Sequence, residues 1–397
     1  MKNKLNTKNI SLCEPEIRGN EWKYIKECLD TAWVSSVGGF VDRFEKAVAD
    51  YVGAKYAVAC VNGTAGLHVA LVACGIEPGD EVLVPSLSFI APANAVRYCG
   101  GWPVFIDADP QTWQMDPEKV KEFLVKDCRL AGRTLINRRT KRPVRAILPV
   151  HVLGHPVDMK PILTLAKKFG LDVIEDATES LGSKYRGRHT GTFGDVGVFS
   201  FNGNKIITAG GGGMIVTNNR RLAERIRYLT TQAKDDAIEY IHGAIGFNYR
   251  LTNIQAALGV AQMEQLENFV DAKRRLGERY AKALKAIPGV TLPAQAPWAL
   301  TNFWLYTILI DREIYGKSSR ELLADLNRQG IAARPLWHPL HSLKIFKGSY
   351  HNGIKIVDEL YGRALSLPSS VGLKPDEQDR VIQIILEQPK KRENRRG

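Results

Sequence analysis

Residues 146–176 read AILPVHVLGHPVDMKPILTLAKKFGLDVIED and contain the clearest structural pattern of the chain. Two short runs rich in β-branched and apolar residues, Ala146–His151 and Asp172–Asp176, flank a helical segment, Met159–Phe169. A strand, a helix and a second strand in this order are typical of a crossover unit between parallel strands. The stretch therefore predicts an α/β fold with helices packed on a mostly parallel sheet.

The same alternation extends outward from about residue 57 to 217. It predicts five further strands, which are Ala57–Val61, Glu81–Pro85, Val104–Asp107, Val196–Phe201 and Gly213–Thr217. Further helices are predicted at Ala65–Cys74, Pro92–Tyr98 and Pro117–Cys128. Together these segments predict a large domain with a mostly parallel seven-stranded sheet.

A long helical pattern follows Thr252 and runs to about Ala286, with apolar residues at helical intervals. Beyond Pro288 the sequence predicts a smaller α+β segment, with a strand at Trp304–Ile310 and a helix at Ser319–Gln329. We therefore expect a large domain over residues 1–255, including an N-terminal arm. Residues 256–397 are expected to form a linking helix and a small C-terminal domain.

Composition excludes several classes of protein. The chain has 397 residues, of which 44% are hydrophobic and 24% charged, and no apolar run approaches the ~20 residues that span a bilayer. The first nine residues lack the apolar core of a secretory signal. The six cysteines include no C-x-x-C pair, so we expect reduced thiols in a cytoplasmic protein without membrane contact.

The net charge of +13 makes anionic partners conceivable. Much of this charge is local, in a basic tail and in a polar stretch that we expect to protrude as a loop. The tail contains Lys390, Lys391, Arg392, Arg395 and Arg396, and the stretch contains Arg133, Arg138, Arg139, Lys141 and Arg142. Neither segment interleaves aromatic residues with its charges, which favours a solvated surface over a nucleic-acid site.

Ligands of open α/β sheets bind beyond the carboxyl ends of the strands, so polar residues after each strand are candidates. Gly63 and Thr64 lie between a strand and a helix, where free N–H groups favour a phosphate; the alternative is an ordinary Thr N-cap. Glu175 and Asp176 end a strand and could bind a metal, clamp a ribose or pair with a protonated ring nitrogen. A helix N-cap is the plain alternative for them.

Ser200-Phe201-Asn202-Gly203-Asn204-Lys205 leads from a strand into a turn with one lysine, and Gly210–Gly213 follows. Four glycines allow the backbone to pass close to a planar ligand or another chain; a flexible loop with an exposed lysine is the alternative. Phe89 follows another strand, where it could cover a ring or belong to the core. His151 and His155 lack the spacing and the third ligand of a metal site, so we expect no metal.

The ordered motifs Asn62-Gly63-Thr64-Ala65, Asp176, Ser200-Phe201-x-x-x-Lys205, Gly210–Gly213 and Gly246-x-Asn248-Tyr249-Arg250-Leu251 resemble those of the DegT/DnrJ/EryC1/StrS nucleotide-sugar aminotransferases. The resemblance covers about residues 10 to 385. Three further stretches are most similar to the branch that aminates C4 of 4-keto-6-deoxy-2-acetamido hexoses in legionaminic acid and bacillosamine biosynthesis. They are Trp33–Gly38, Glu175–Gly182 and Phe201–Lys205.

This resemblance implies the dimeric fold type I of aminotransferases that depend on pyridoxal 5'-phosphate (PLP). It implies that Lys205 binds PLP covalently and moves a proton, and that Asp176 pairs with the pyridine nitrogen. Phe89 would stack on the ring. Gly63, Thr64 and Ser200 would hold the phosphate, joined by Asn248 from the other subunit of a homodimer with shared active sites.

The implied reaction moves an amino group from glutamate to C4 of a nucleotide-linked sugar. Two departures from the wider family stand out: position 179 is often Gln and is Glu here, and the common Gly-Glu-Gly-Gly is Gly210–Gly213 here. Glu179 is expected near the cofactor, on the same face as Asp176 if a helix begins at Ala177, and protonated or paired with a cation. A keto-sugar 3-dehydratase, which would have His in place of Lys205, and a non-enzymatic binding or regulatory protein are the alternatives.

Overall fold

The computed structural model describes residues 9–236 and 238–387. The basic tail predicted from Lys390 to Arg396 lies outside these residues. Fifteen strands are found in the described ranges: β1 (Tyr56–Cys60), β2 (Glu81–Pro85), β3 (Trp102–Ile106), β4 (Cys128–Ala131), β5 (Thr134–Asn137), β6 (Pro143–Ile147), β7 (Asp172–Asp176), β8 (Lys184–Tyr185), β9 (Arg188–His189), β10 (Val196–Ser200), β11 (Gly213–Thr217), β12 (Val290–Thr291), β13 (Ala299–Leu300), β14 (Tyr306–Ile310) and β15 (Ala364–Leu367).

The helices are α1 (Glu21–Asp30), α2 (Gly39–Val52), α3 (Gly63–Ala73), α4 (Ala91–Tyr98), α5 (Pro117–Glu122), α6 (Met159–Phe169), α7 (Arg220–Thr230), α8 (Asn253–Met263), α9 (Leu266–Leu284), α10 (Arg312–Tyr315), α11 (Ser319–Arg328), α12 (Ile356–Arg363) and α13 (Pro375–Leu386). A π-helical turn, Phe123–Asp127, continues α5. Among the described residues, none of the helices combines the length and the apolar character that crossing a membrane requires.

The central sheet confirms the predicted α/β architecture. Its seven principal strands run in the order β1-β11-β10-β7-β6-β2-β3. The pairs from β10 through β7, β6 and β2 to β3 are parallel, while β11 runs antiparallel to both of its neighbours. Strands β1, β2, β7 and β10 consequently point the same way, and their carboxyl ends meet at one edge of the sheet.

Several element boundaries differ from the prediction. The strand expected at Ala146–His151 begins earlier and ends at Ile147, since Pro149 has no N–H to continue the ladder. Within the basic stretch expected as a loop, residues 134–137 form β5, which pairs with β4 and β6 and extends the sheet to nine strands. The five basic residues themselves lie outside the strands, in the turns on either side of β5.

The single long helix expected after Thr252 is two helices, α8 and α9. The break falls at Glu264 and Gln265. The Glu264 carboxylate there accepts hydrogen bonds from Asn20 Nδ2 and Tyr24 Oη, at 2.7 and 2.6 Å, so the break is tied to α1.

A second sheet, β12-β14-β15, packs against α9, α11 and α13 around its own apolar core. That core contains Tyr280, Tyr306, Ile308, Leu326 and Val381, all with at most 1% of their surface exposed. The segment just before β14 returns to the carboxyl edge of the large sheet. This return brings C-terminal side chains to the candidate site.

Candidate active site

The carboxyl edge of the sheet holds a cavity of about 310 Å³. Six side chains or backbone positions predicted as site residues line it: Gly63, Thr64, Phe89, Glu179, Ser200 and Lys205. Asp176 is buried beside the cavity. Its Oδ1 accepts a 3.0 Å hydrogen bond from the N–H of Thr178, a residue that lines the cavity. The structure thus brings together segments from four different strand ends.

The phosphate site expected at α3 has the geometry of a helix N-terminus. The Asn62 side chain caps the helix by accepting from the N–H of Ala65 at 2.8 Å, so the cap is Asn62 and not Thr64. A Cβ on Gly63 would lie 3.0 Å from the Ser200 Cβ, closer than ordinary packing allows. The missing side chain therefore leaves space between the helix start and the Ser200 hydroxyl, where an anion is favoured.

Asp176 is a carboxylate with 3% of its surface exposed. Burial raises the pKa of Asp176, while hydrogen bonds from Thr178 and the positive charge of Lys205 act in the opposite direction. A cation placed against this carboxylate would favour its ionised form. The site is therefore suited to pair with a protonated ring nitrogen.

Glu175, the other carboxylate of this strand, has a structural role. Its oxygens accept three backbone N–H bonds from residues 191–194 at 2.6 to 2.9 Å and one bond from His151 Nε2 at 3.0 Å. Because His151 Nδ1 accepts from the N–H of Val157 at 3.0 Å, the ring proton is on Nε2. Glu175 and His151 thus anchor the loop behind the cavity.

Both ring nitrogens of His155 also form hydrogen bonds, as those of His151 do. Its Nδ1 bonds to the Pro156 carbonyl at 2.8 Å, and its Nε2 accepts from the N–H of Ala296 at 3.1 Å. Within the described part of the chain, no group of three or more His, Cys, Asp or Glu side chains is arranged to hold a metal ion.

Lys205 projects from a turn whose backbone is held at the preceding residue. The Asn204 carbonyl accepts hydrogen bonds from the indole Nε1 of Trp304 at 2.7 Å and from Cys13 Sγ at 3.2 Å. Burial lowers the pKa of Lys205, and the negative charges of Glu179 and Asp176 act in the opposite direction. A lysine whose ammonium form is disfavoured by burial is suited to act as a nucleophile and a proton carrier.

Glu179 lies in a turn, and no helix begins at Ala177 as its predicted placement assumed. The turn still directs the carboxyl into the cavity, where Oε2 accepts from the N–H of Leu153 at 2.7 Å. Leu153 donates from a left-handed backbone conformation, with φ at 59°, which is unfavourable for a side chain of this size. Burial raises the pKa of Glu179 to about 7.

Two tryptophans that the sequence did not single out form an aromatic wall of the cavity. Trp304 and Trp337 stack with ring centroids 6.2 Å apart and an interplanar angle of 12°. Phe89, half exposed, meets Trp337 edge-on at 6.5 Å. Both tryptophans come from the segment after α9, more than 200 residues beyond Phe89, so local sequence carried no signal for them.

Asn248 does not line this cavity. It is exposed and forms a bridge with Thr231, in a loop with several exposed apolar side chains: Ile238, Tyr240, Ile241 and Ile245. An Asn248 that reaches a cavity in a second copy of the chain is consistent with this placement. The cross-subunit role stays a prediction.

The residues around the cavity fit PLP. The group needs an amine for its carbonyl carbon, an anion for its ring nitrogen and N–H or hydroxyl donors for its phosphate. Lys205, Asp176 and the Gly63–Thr64–Ser200 cradle supply these three functions around one space.

Comparisons with known proteins agree with this geometry. The profile of the DegT/DnrJ/EryC1/StrS aminotransferase family matches residues 15–386. The chain is 44% identical to a GDP-perosamine synthase of Caulobacter vibrioides over 377 residues, covering 95% of this chain and 97% of that one. It is 38% identical to the GDP-perosamine synthase of Escherichia coli O157:H7, covering 96% and 98%.

Among solved structures, a DegT/DnrJ/EryC1/StrS aminotransferase from Brucella abortus superposes with a TM-score of 0.85 at 30% identity. The match covers 92% of this chain and 94% of that one.

Proposed function

The chain belongs to the DegT/DnrJ/EryC1/StrS aminotransferase family, whose members depend on PLP, and from this premise we propose its substrate and its chemistry. The proposed reaction transfers an amino group from glutamate to C4 of a nucleotide-linked 4-keto-6-deoxy hexose, in cell-surface glycan biosynthesis. The observation that carries the proposal is the single cavity that joins Lys205, the Gly63 helix start and Glu179, with Asp176 beside it.

Each side chain has a role that its surroundings support. When bound, PLP supplies an electron sink that makes the carbon bearing the amino group acidic. Lys205 would hold PLP covalently through Nζ and, once released, carry a proton on the same atom. The Asp176 carboxylate would pair with the pyridine nitrogen, and its burial strengthens that pairing.

The remaining predicted residues would bind and orient. Gly63, Thr64 and Ser200 would hold the phosphate, completed by Asn248 of a second subunit in a homodimer. Phe89 would cover one ring face.

We also propose the division into a large domain over residues 1–255 and a linking and small domain over 256–397, and the cytoplasm as the compartment. The six cysteines, all free in the structure, agree with a reducing compartment.

Two nucleotide sugars compete as the substrate. Similarity of the motifs to the C4-aminating branch favours a 2-acetamido sugar. The identity of 44% and 38% to two GDP-perosamine synthases favours a GDP-linked sugar, and we place this candidate first.

A transamination screen tests both candidates. The purified protein with PLP is incubated with glutamate and either a GDP-linked or a UDP-linked 4-keto-6-deoxy sugar, and the product is analysed by mass spectrometry and NMR. We expect an amino group at C4 of the GDP-linked sugar. Amination at another carbon, or loss of the C3 oxygen without amination, would contradict the proposal.

A further inference from the structure

Trp304 contacts the Lys205 segment in two ways. Its ring face lies beneath the ammonium group, with Lys205 Nζ 4.1 Å from the ring centroid. Its indole N–H donates to the carbonyl of Asn204, the residue just before the lysine, at 2.7 Å. One side chain thus touches both the functional atom of Lys205 and the backbone from which that side chain projects.

Trp304 is itself held on every side. The residue is buried, and its backbone N–H donates to Asn302 Oδ1 at 2.9 Å. Its carbonyl accepts from Lys273 Nζ at 2.6 Å, and its ring stacks on Trp337. The ring can therefore present a fixed face to Lys205.

Lys273 explains how the chain keeps this position. It is a fully buried lysine on α9 that donates to two backbone carbonyls, those of Trp304 and Ser369. These carbonyls flank β14 and β15, so the lysine joins both strands to the linking helix. Among the described residues its ammonium group donates to these two carbonyls, and no ion pair with a carboxylate is found for it there.

Lys205 also lacks a carboxylate within ion-pair distance among the residues that the structure describes. The titratable groups that face it are Glu179, Asp176 and Cys13. The negative face of an indole ring attracts an ammonium group, and it does so more strongly where water is largely excluded. The contact with the Trp304 ring therefore stabilises the ammonium form of Lys205.

We propose that Trp304 is a positioning residue, whose ring face is the resting place of the Lys205 ammonium group whenever the lysine is not bonded to the cofactor. The proposal rests on the proposed function, in which Lys205 is the cofactor lysine. The ring keeps Nζ at a fixed place in the cavity and favours its protonated form. Lys273 acts one step further back, by fixing the backbone of Trp304.

The test uses the cofactor-free protein, so that it does not depend on turnover. The rate at which an amine-reactive acylating reagent modifies Lys205 is measured against pH by mass spectrometry of its peptide, which gives the pKa of its ammonium group. Trp304→Leu removes the ring and the indole donor, while Trp304→Phe keeps a ring and loses the donor. Trp102→Leu is the matched control, because Trp102 also faces cations, Arg97 and Arg142, each at 4.0 Å.

We expect Trp304→Leu to lower the pKa of Lys205 by about one pH unit. Trp304→Phe should lower it by at most half as much, because it keeps an aromatic ring. Trp102→Leu should leave it unchanged. An unchanged pKa in Trp304→Leu would overturn the proposal. Equal losses in the Leu and Phe variants would also overturn it, because they would assign the effect to the indole hydrogen bond.

A second measurement covers the case in which Trp304→Leu does not fold. Replacing tryptophan by a ring-fluorinated tryptophan preserves the shape and weakens the negative ring face, so the pKa of Lys205 should again fall. An unchanged value in this protein would contradict the role of the ring.

Borohydride reduction of the PLP-loaded wild type separates the two proposals, since recovery of PLP on another lysine would refute the proposed function and leave the Trp304 measurement valid.

Discussion

Replacing Glu179 by Gln tests how the buried carboxyl group of the cavity is protonated. Burial raises the pKa of Glu179 from 4.5 to about 7. As pH rises from 4.5 to 7, the unfolded chain releases this proton while the folded chain retains it, so the free energy of unfolding falls. The stabilisation from the protonated Glu179 is fully present below pH 4.5 and lost as pH rises through 7. Its loss lowers the free energy of unfolding by about 3 kcal/mol.

Gln has the same size and keeps an oxygen that can accept from the N–H of Leu153, but it does not titrate. We therefore expect cofactor-free Glu179→Gln to gain up to about 3 kcal/mol of stability relative to the wild type between pH 4.5 and pH 8. Urea unfolding of both proteins, followed by circular dichroism at several pH values, measures this difference. Glu278→Gln, an exposed change on α9, is the matched control and should follow the wild type.

The same variant has a kinetic signature. Glu179→Gln should keep PLP and measurable turnover, and its kcat/KM should lose an ionisation near pH 7. Parallel stability curves for variant and wild type, together with an unchanged pH profile, would refute the reasoning and leave Glu179 as a side chain indifferent to substitution.

Four other changes test the rest of the site. Lys205→Ala should bind PLP without a covalent bond and lose turnover by several orders of magnitude, as followed by borohydride fixation and a glutamate-dependent assay. Asp176→Asn should retain PLP better than it retains turnover, and near-normal transamination would contradict the pairing with the ring nitrogen. Gly63→Ala places a Cβ 3.0 Å from Ser200 and should weaken PLP binding, measured by absorbance titration. Mixing Lys205→Ala with Asn248→Ala subunits should restore part of the activity, while an active monomer in sedimentation would refute shared sites.

The sheet could be predicted because its strands are buried on both faces. The bounds of Glu81–Pro85, Asp172–Asp176 and Gly213–Thr217 were predicted as found. Continuous apolar runs between turn signals carry that information locally. The carboxyl ends of these strands then indicated where candidate residues should gather, and the cavity contains six of them.

What the sequence could not provide depends on long-range contacts. The aromatic wall needs the return of Trp304 and Trp337 to the sheet edge, which no local pattern specifies. The placement of Glu179 was predicted through a helix, yet it follows from a turn and from the strained Leu153 N–H. Residues 134–137 inside the basic stretch formed a strand because the start of β6, Pro143 and Val144, pairs with them ahead of the point where β7 begins to pair with β6.

The hydrogen bonds at the Asn204 carbonyl have a consequence for the synthesis of the protein. Their donors lie 191 residues before and 100 residues after that carbonyl in the chain. At ribosomal rates of about 5–20 residues per second, Lys205 is made roughly 5–20 s before Trp304. A nascent chain therefore exposes its reactive lysine well before the aromatic wall exists. Closure of this side of the cavity therefore waits for the synthesis of Trp304, and fragments that end before it carry Lys205 without the aromatic wall.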